Sequence, residues 1–322
     1  MTNFKAPKLR SIRSIRSIGS IGSLVLSWFV AVVAFGAAIT AQAQLSSAPQ
    51  PAFTAATLTE KYTNLNPLLA SNDFGRPLII ESVETSNRVT GDAYAVVDAP
   101  FGTVKTSLQS PSGLCDLIIL HLNTKYCRAE PSAAGSGNML KVNFGKKTPQ
   151  DLPSTFAIDF DMRVPSATPG FLAVLLDAAE GPLGTSNYRI EMDAVPLPAN
   201  KTFLHLRYSY GFGVAGKLAM RGYLATTAST KIGFTKVGQG DSQTYVGGMR
   251  GAVERNTMRY YLAIDAYLAS LRLPQPAQLD ARLNAWFDAT EKYPEQLGEV
   301  DKDSYLKMKK SEVLRQQGVA QR

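Results

Sequence analysis

Phe156-Ala157-Ile158-Asp159-Phe160-Asp161-Met162-Arg163-Val164 alternates strictly: large apolar residues stand at the even positions, with Ala157, Asp159, Asp161 and Arg163 between them. Side chains of a strand point alternately to its two faces, so the pattern predicts a strand with one face buried and one wet. Tyr188, Ile190, Met192 and Ala194 alternate in the same way with Asn187, Arg189, Glu191 and Asp193. Leu140, Val142 and Phe144 do so with Lys141, Asn143 and Gly145. Residues 171–178 and 202–210 fit two more strands, and stretches containing Pro, Gly or Asn at 165–170, 181–184 and 196–200 supply the turns. Half-wet strands joined by short turns make an antiparallel meander.

Downstream the period changes. Residues 218–226 read as a helical turn or two, and 232–237 and 244–246 as a short strand pair joined by a turn at 238–242. Residues 252–273 then form a long helix ended by Pro274. Tyr260, Ile264, Tyr267 and Leu271 make one apolar stripe on it, and Met258, Tyr261, Leu262 and Leu268 a second. A helix this apolar must be deeply packed, most naturally across the sheet. Beyond it, 277–322 reads as two polar helices that dock through Leu279, Leu283, Trp286 and Phe287; the stretch from Asp301 is a solvated helix with frayed ends. Upstream, 78–99 is strand-like, with a turn or bulge at Gly91-Asp92. Asp98-Ala99-Pro100 starts a helix carrying Phe101, Val104 and Leu108, and 114–122 is a second short helix or tight apolar segment.

The first 43 residues have the order of a secretion signal. Lys5, Lys8, Arg10, Arg13 and Arg16 make a basic start without an acidic residue, an apolar run spans 24–39, and Ala41-Gln42-Ala43 supplies the small residues of a cleavage site. An uncleaved anchor is the rival reading, since 24–43 is long enough to cross a bilayer; the cleavage site and the polar stretch after it favour removal after Ala43. The protein is then periplasmic or secreted, with membrane contact only through the signal segment before cleavage. Removing five basic residues from a net charge of +8 leaves +3, which takes away the main support for nucleic-acid binding. Residues 44–77 read as a leader, flexible at least to residue 57, with 78–273 as the main domain and 274–322 as a helical extension. Cys115 and Cys127, the two cysteines, suggest a disulfide in an exported chain, worth about 3 kcal/mol for so short a loop. A metal held by the pair with His121 lacks a fourth ligand, so no metal is expected.

Catalytic signatures are scarce. Gly211, Gly213 and Gly216 fit the spacing of a dinucleotide-binding loop, but the strands around them alternate as antiparallel ones do, and the nearest candidate for the required acidic residue, Asp241, sits in a Gly-rich turn. They read as a strand exit, and no cofactor is expected. The chain has two histidines, His121 and His205, without the pairing of a zinc protease. His205 reads as a surface or half-buried sheet residue, and the carboxylate pairs Asp159/Asp161 and Glu191/Asp193 as the wet face of the sheet. The richest cluster lies between Tyr245 and Tyr261, where Arg250, Glu254 and Arg255 either fix the polar end of a ligand or form salt bridges at a helix start.

The passage from strand to helix at Gly91-Asp-Ala-Tyr-Ala-Val-Val-Asp-Ala-Pro-Phe101, the strands over 140–210 and the helix over 253–271 together resemble the helix-grip fold of the START-like superfamily, which includes polyketide cyclases and lipid-transfer domains. The resemblance spans residues 78–272. It implies an α+β fold whose antiparallel sheet curls around the long C-terminal helix and leaves a cavity for an apolar ligand. The helical tail and the cysteine pair are additions to that pattern. The leading expectation is an exported, non-catalytic binding protein for a hydrophobic small molecule or lipid, touched by Tyr208, Tyr210, Arg250, Glu254, Arg255, Tyr260, Ile264 and Tyr267. The alternatives are a cyclase- or hydrolase-like enzyme using Glu254, Arg255 or His205, and a cell-envelope interaction module acting through the tail.

Overall fold

The computed structural model describes residues 53–132, 137–214, 216–218, 222 and 231–318, and all eight strands of its main sheet pair antiparallel. In chain order they are β1 (Leu78–Glu84), β2 (Arg88–Val97), β3 (Thr124–Pro131), β4 (Asn138–Phe144), β5 (Phe156–Ala167), β6 (Leu172–Glu180), β7 (Thr185–Leu197) and β8 (Lys201–Phe212). Across the sheet they run β1-β2-β8-β7-β6-β5-β4-β3. The meander continues unbroken from β3 to β8, and the first hairpin closes onto β8. The expected pair of short strands is present as β9 (Lys236–Val237) and β10 (Thr244–Tyr245). The export segment and nearly all of 218–226 lie outside the described residues. Among the described residues no helix is long and apolar enough to cross a membrane.

Two short helices, α2 (Phe101–Leu108) and α3 (Pro111–Ile118), connect β2 to β3. Ser110 caps α3 through its side chain, which accepts from the Gly113 amide at 3.1 Å. The Cys115–Cys127 disulfide ties α3 to β3 across a Cα separation of 5.2 Å, which removes both sulfurs from the metal reading with His121. The long helix, α4 (Gly248–Ser270), packs on β1, β2, β8 and both short helices. One continuous apolar core joins it to the inner sheet face. Its start lies four residues earlier than the periodicity indicates, at Gly248, whose φ of +58° suits glycine.

Gly91 marks no turn: it lies inside β2, and the chain reverses instead between Glu84 and Arg88. The glycine serves the crossing of α4, because a Cβ there would stand 2.5 Å from Thr257 Oγ1. Gly91→Ala is therefore expected to cost about 1–3 kcal/mol by urea unfolding, and an unchanged midpoint would show that the crossing has slack. Gly216 of the glycine motif is explained in the same way, since a Cβ there would meet Gly184 O at 2.5 Å. β8 runs antiparallel to both its neighbours, so no dinucleotide-binding βαβ unit surrounds these glycines.

Three segments depart from the sequence reading. β5 continues through Pro165 to Ala167, its register shifting between Arg163 and Ser166, where a turn was expected from 165. The stretch read as a leader contains α1 (Ala55–Ala70), started by a Thr54/Thr57 capping box. Leu58, Leu65 and Leu69 bury this helix on the outer sheet face against Tyr94, Phe171, Val195 and Phe203. Each such leucine contributes about 1.5–3 kcal/mol. The last helix is not solvated along its length. After α5 (Gln275–Thr290) and α6 (Pro294–Leu297), α7 (Lys302–Gln316) buries Tyr305, Met308, Lys309, Glu312 and Val313. Its Lys309 ammonium donates to His121 O at 2.6 Å, Thr124 O at 2.7 Å and Glu312 Oε2 at 2.8 Å. Glu312 Oε1 accepts from Lys125 Nζ at 3.0 Å. These long polar side chains hide from a periodicity reading because their burial depends on each other.

Candidate functional site

Alternation along β6, β7 and β8 turns Leu176, Ile190, Met192 and Leu206 to the inner face. Leu114, Leu117 and Ile118 descend on them from α3, and Tyr260 and Ile264 from α4. These nine residues line a cavity of ≈ 10 Å³, room for about one water-sized sphere. At one end stands a group of phenol rings. Tyr208 lies 5.6 Å from Tyr260 and 5.8 Å from Tyr210, and Tyr188 lies 5.3 Å from Tyr210, all between ring centroids. Burial raises the pKa of all four, so they remain neutral hydroxyls. Tyr188 was missed by the sequence reading, although its place in the β7 alternation marks it as inward-facing.

Four of the expected ligand-binding residues, Tyr208, Tyr210, Tyr260 and Ile264, thus gather in the interior; the other four do not join them. Glu254 is fully buried near the start of α4. One carboxylate oxygen accepts from Ser82 Oγ at 2.5 Å, and the other from the amides of Phe234 and Thr235 at 2.6 and 2.9 Å. Arg250 Nε donates to the same Ser82 at 3.0 Å, and Arg255 donates to Ile232 O at 3.1 Å. These three side chains bind the helix start to β1 and to the segment before β9. Tyr267 lies towards the far end of α4, beneath the Arg282 guanidinium at 4.8 Å.

His205 is not a surface residue: it is fully buried on the outer sheet face, away from this cavity. Its Nδ1 meets Asp193 Oδ2 at 3.0 Å and its Nε2 meets Asp92 Oδ1 at 2.7 Å. The ring is covered by Phe53 and Tyr94, each with its centroid 4.8 Å away. Burial opposes the imidazolium, but the hydrogen bonds and charges of the two carboxylates outweigh it and hold the pKa above the ordinary value. Glu191 and Asp193 are correspondingly buried rather than wet, because α1 and Phe53 cover this part of the face. Glu254, Arg255 and His205, the trio considered for catalysis, converge on no common point. Among the described residues no group of three or more His, Cys, Asp or Glu could hold a metal ion.

The His121 ring is buried in the turn after α3 and stacks on Tyr260 at 4.8 Å. Its Nδ1 accepts the Asn123 amide at 3.1 Å, while Nε2 has no hydrogen-bond partner. Burial, followed by the charges of Arg259, Lys309 and Lys147, pushes its pKa well below the ordinary value.

No family model and no curated protein matches the chain. Solved structures that match part of the chain include norcoclaurine synthase from Thalictrum flavum (17% identity over 46% of this chain and 93% of that one, TM-score 0.32). Human StAR-related lipid transfer protein 5 matches at 14% identity over 68% of this chain and 98% of that one, with a TM-score of 0.38. Ara h 8.0201 matches at 9% identity over 57% and 99%, with a TM-score of 0.34. The chain's own topology, an antiparallel sheet with two short helices after its second strand and a long C-terminal helix across its inner face, is the helix-grip fold of START-like proteins.

Proposed function

We propose that the chain is an exported binding protein for a hydrophobic small molecule or lipid, held between the inner sheet face and helices α3 and α4. The observation that carries this reading is the cavity, whose nine lining side chains include no charged group. Apolar space of this kind stays dry and accepts apolar molecules. A space of ≈ 10 Å³ is far smaller than a lipid, so entry requires α3 and α4 to draw away from the sheet. The Cys115–Cys127 disulfide supports an oxidising compartment, the periplasm or the cell exterior.

The test is titration of the folded protein with 1-dodecanol, followed by calorimetry and native mass spectrometry. A saturable one-to-one complex is expected, with altered amide exchange in α3 and α4. Folded protein that takes up no dodecanol at its solubility limit would overturn the reading.

A further inference from the structure

A buried hydroxyl without a hydrogen bond costs stability, so such groups are nearly always paired. Tyr188 follows the rule. Its hydroxyl lies 2.7 Å from Thr185 Oγ1, and Thr185 donates its own proton to Pro182 O, so the phenol is the donor of this pair. Tyr208, Tyr210 and Tyr260 depart from it: among the described residues none of their hydroxyls makes a hydrogen bond, although all three side chains are buried. The three belong to one group. Tyr208 and Tyr210 stand two positions apart on β8 and so share its inner face. α4 lays Tyr260 against Tyr208 at 5.6 Å between ring centroids, and Tyr260 also lines the apolar cavity.

The surroundings suit an uncharged partner. None of the residues lining the cavity is charged, and burial keeps the phenols neutral. Two charged groups act on Tyr210, Glu84 and Arg255, and they do so with opposite signs. An anion would lose its hydration here without meeting an excess of positive charge. A neutral phenol both donates and accepts, so two of them can hold one alcohol oxygen or donate together to one carbonyl.

We infer that Tyr208, Tyr210 and Tyr260 receive an uncharged oxygen of the bound molecule, a hydroxyl or carbonyl, while its apolar body lies between the sheet and α3. The assignment rests on the binding reading above and narrows it from any hydrophobic molecule to an apolar alcohol or ketone. Hydroxyls that stay unpaired until the ligand arrives lower the stability of the free protein. They also select for the molecule that pairs them, since one without an oxygen leaves them unpaired.

Calorimetry on the full chain with 1-dodecanol, 2-dodecanone, dodecanoate and toluene tests it, together with urea unfolding of the free protein. The tighter of the alcohol and the ketone identifies the head group, and it is expected to bind about tenfold or more tightly than dodecanoate. Tyr208→Phe/Tyr260→Phe keeps both rings and removes only the hydroxyls. It is expected to weaken that probe about tenfold, the worth of a hydrogen bond, and to leave toluene, which has no oxygen, within about twofold. The free double variant should unfold at a urea concentration equal to or above that of wild type, because the hydroxyls it loses have no partner. Dodecanoate binding as tightly as the uncharged probes, or alcohol and ketone binding untouched by the double substitution, overturns the assignment and leaves the apolar reading standing. So does a lowered unfolding midpoint, which would mean that the hydroxyls are already paired in the free protein. If dodecanol and dodecanone both fail to bind folded protein, the two readings fall together.

Discussion

Replacing Glu312 with alanine is expected to destabilise the protein by about 3–5 kcal/mol, the cost of breaking a buried ion pair from one side. Lys125 and Lys309 are fully buried and both point at this carboxylate. Without it two ammonium groups face each other inside the fold. Lys309 still has its two carbonyl acceptors, but Lys125 is left with only Met308 Sδ at 3.2 Å. Urea unfolding measures the loss. A triple variant, Lys125→Met/Lys309→Met/Glu312→Leu, is expected to be much less damaged than Glu312→Ala, because apolar groups of similar size have no desolvation to offset. A Glu312→Ala protein with an unchanged midpoint would mean that the two lysines escape to water. The pH response gives a second check. Burial pushes Lys309 down to about 8, against 10.5 for the free side chain. Between those values the unfolded chain binds more protons, so this residue makes stability rise with pH. That rise should vanish in Lys309→Met.

The second large effect is expected at His205. Removing the ring leaves Asp193 buried at 1% exposure without its cation, whereas Asp92 retains Arg207 Nε at 2.8 Å. His205→Gln is expected to cost about 3–5 kcal/mol at pH 6 and to loosen α1, since Phe53 and Tyr94 pack on the imidazole. The sign of the pH dependence follows from the raised folded pKa. The stabilisation is complete below about 6.5, the ordinary histidine value, and is lost as pH rises through the folded one. Asp92 contributes with the opposite sense: burial opposes its ionisation, but the hydrogen bond and charge of His205 and the charge of Arg207 hold its pKa below normal. Its share is present above 3.8 and lost on acidification. Burial raises Asp193 despite His205, so above 3.8 this residue subtracts from stability. The histidine's share should therefore make wild-type stability fall as the pH rises from 6 towards 8, below the range in which Lys309 acts with the opposite sign, with faster amide exchange in α1. His205→Gln should lack that slope. An identical slope in both proteins would show that the histidine is not charged at pH 6.

Most of the sheet was legible before the structure, because period-two alternation in 156–164 and 187–194 states which face is buried, and burial of one face fixes pairing register. The long helix was legible because its aromatic and aliphatic stripes exclude a solvated position. The inward-facing residues Tyr208, Tyr210, Tyr260 and Ile264 followed from those two patterns alone. His205, Asp193, Glu312 and Lys309 did not, since local sequence treats a charged side chain as wet. It becomes a buried partner only when residues far apart in the chain meet: His205 and Asp92 are 113 positions apart, and Lys309 and Thr124 185. The same holds for α1, whose few leucines become a docking face only because the outer sheet surface offers Tyr94, Phe171 and Phe203.

Periodicity is a property of neighbours along the chain, and it settles the elements and their faces. Which polar groups lose water, and therefore which must be paired, depends on what the folded chain lays over them. That choice belongs to the tertiary structure, because desolvation is set by three-dimensional cover and not by the residue itself.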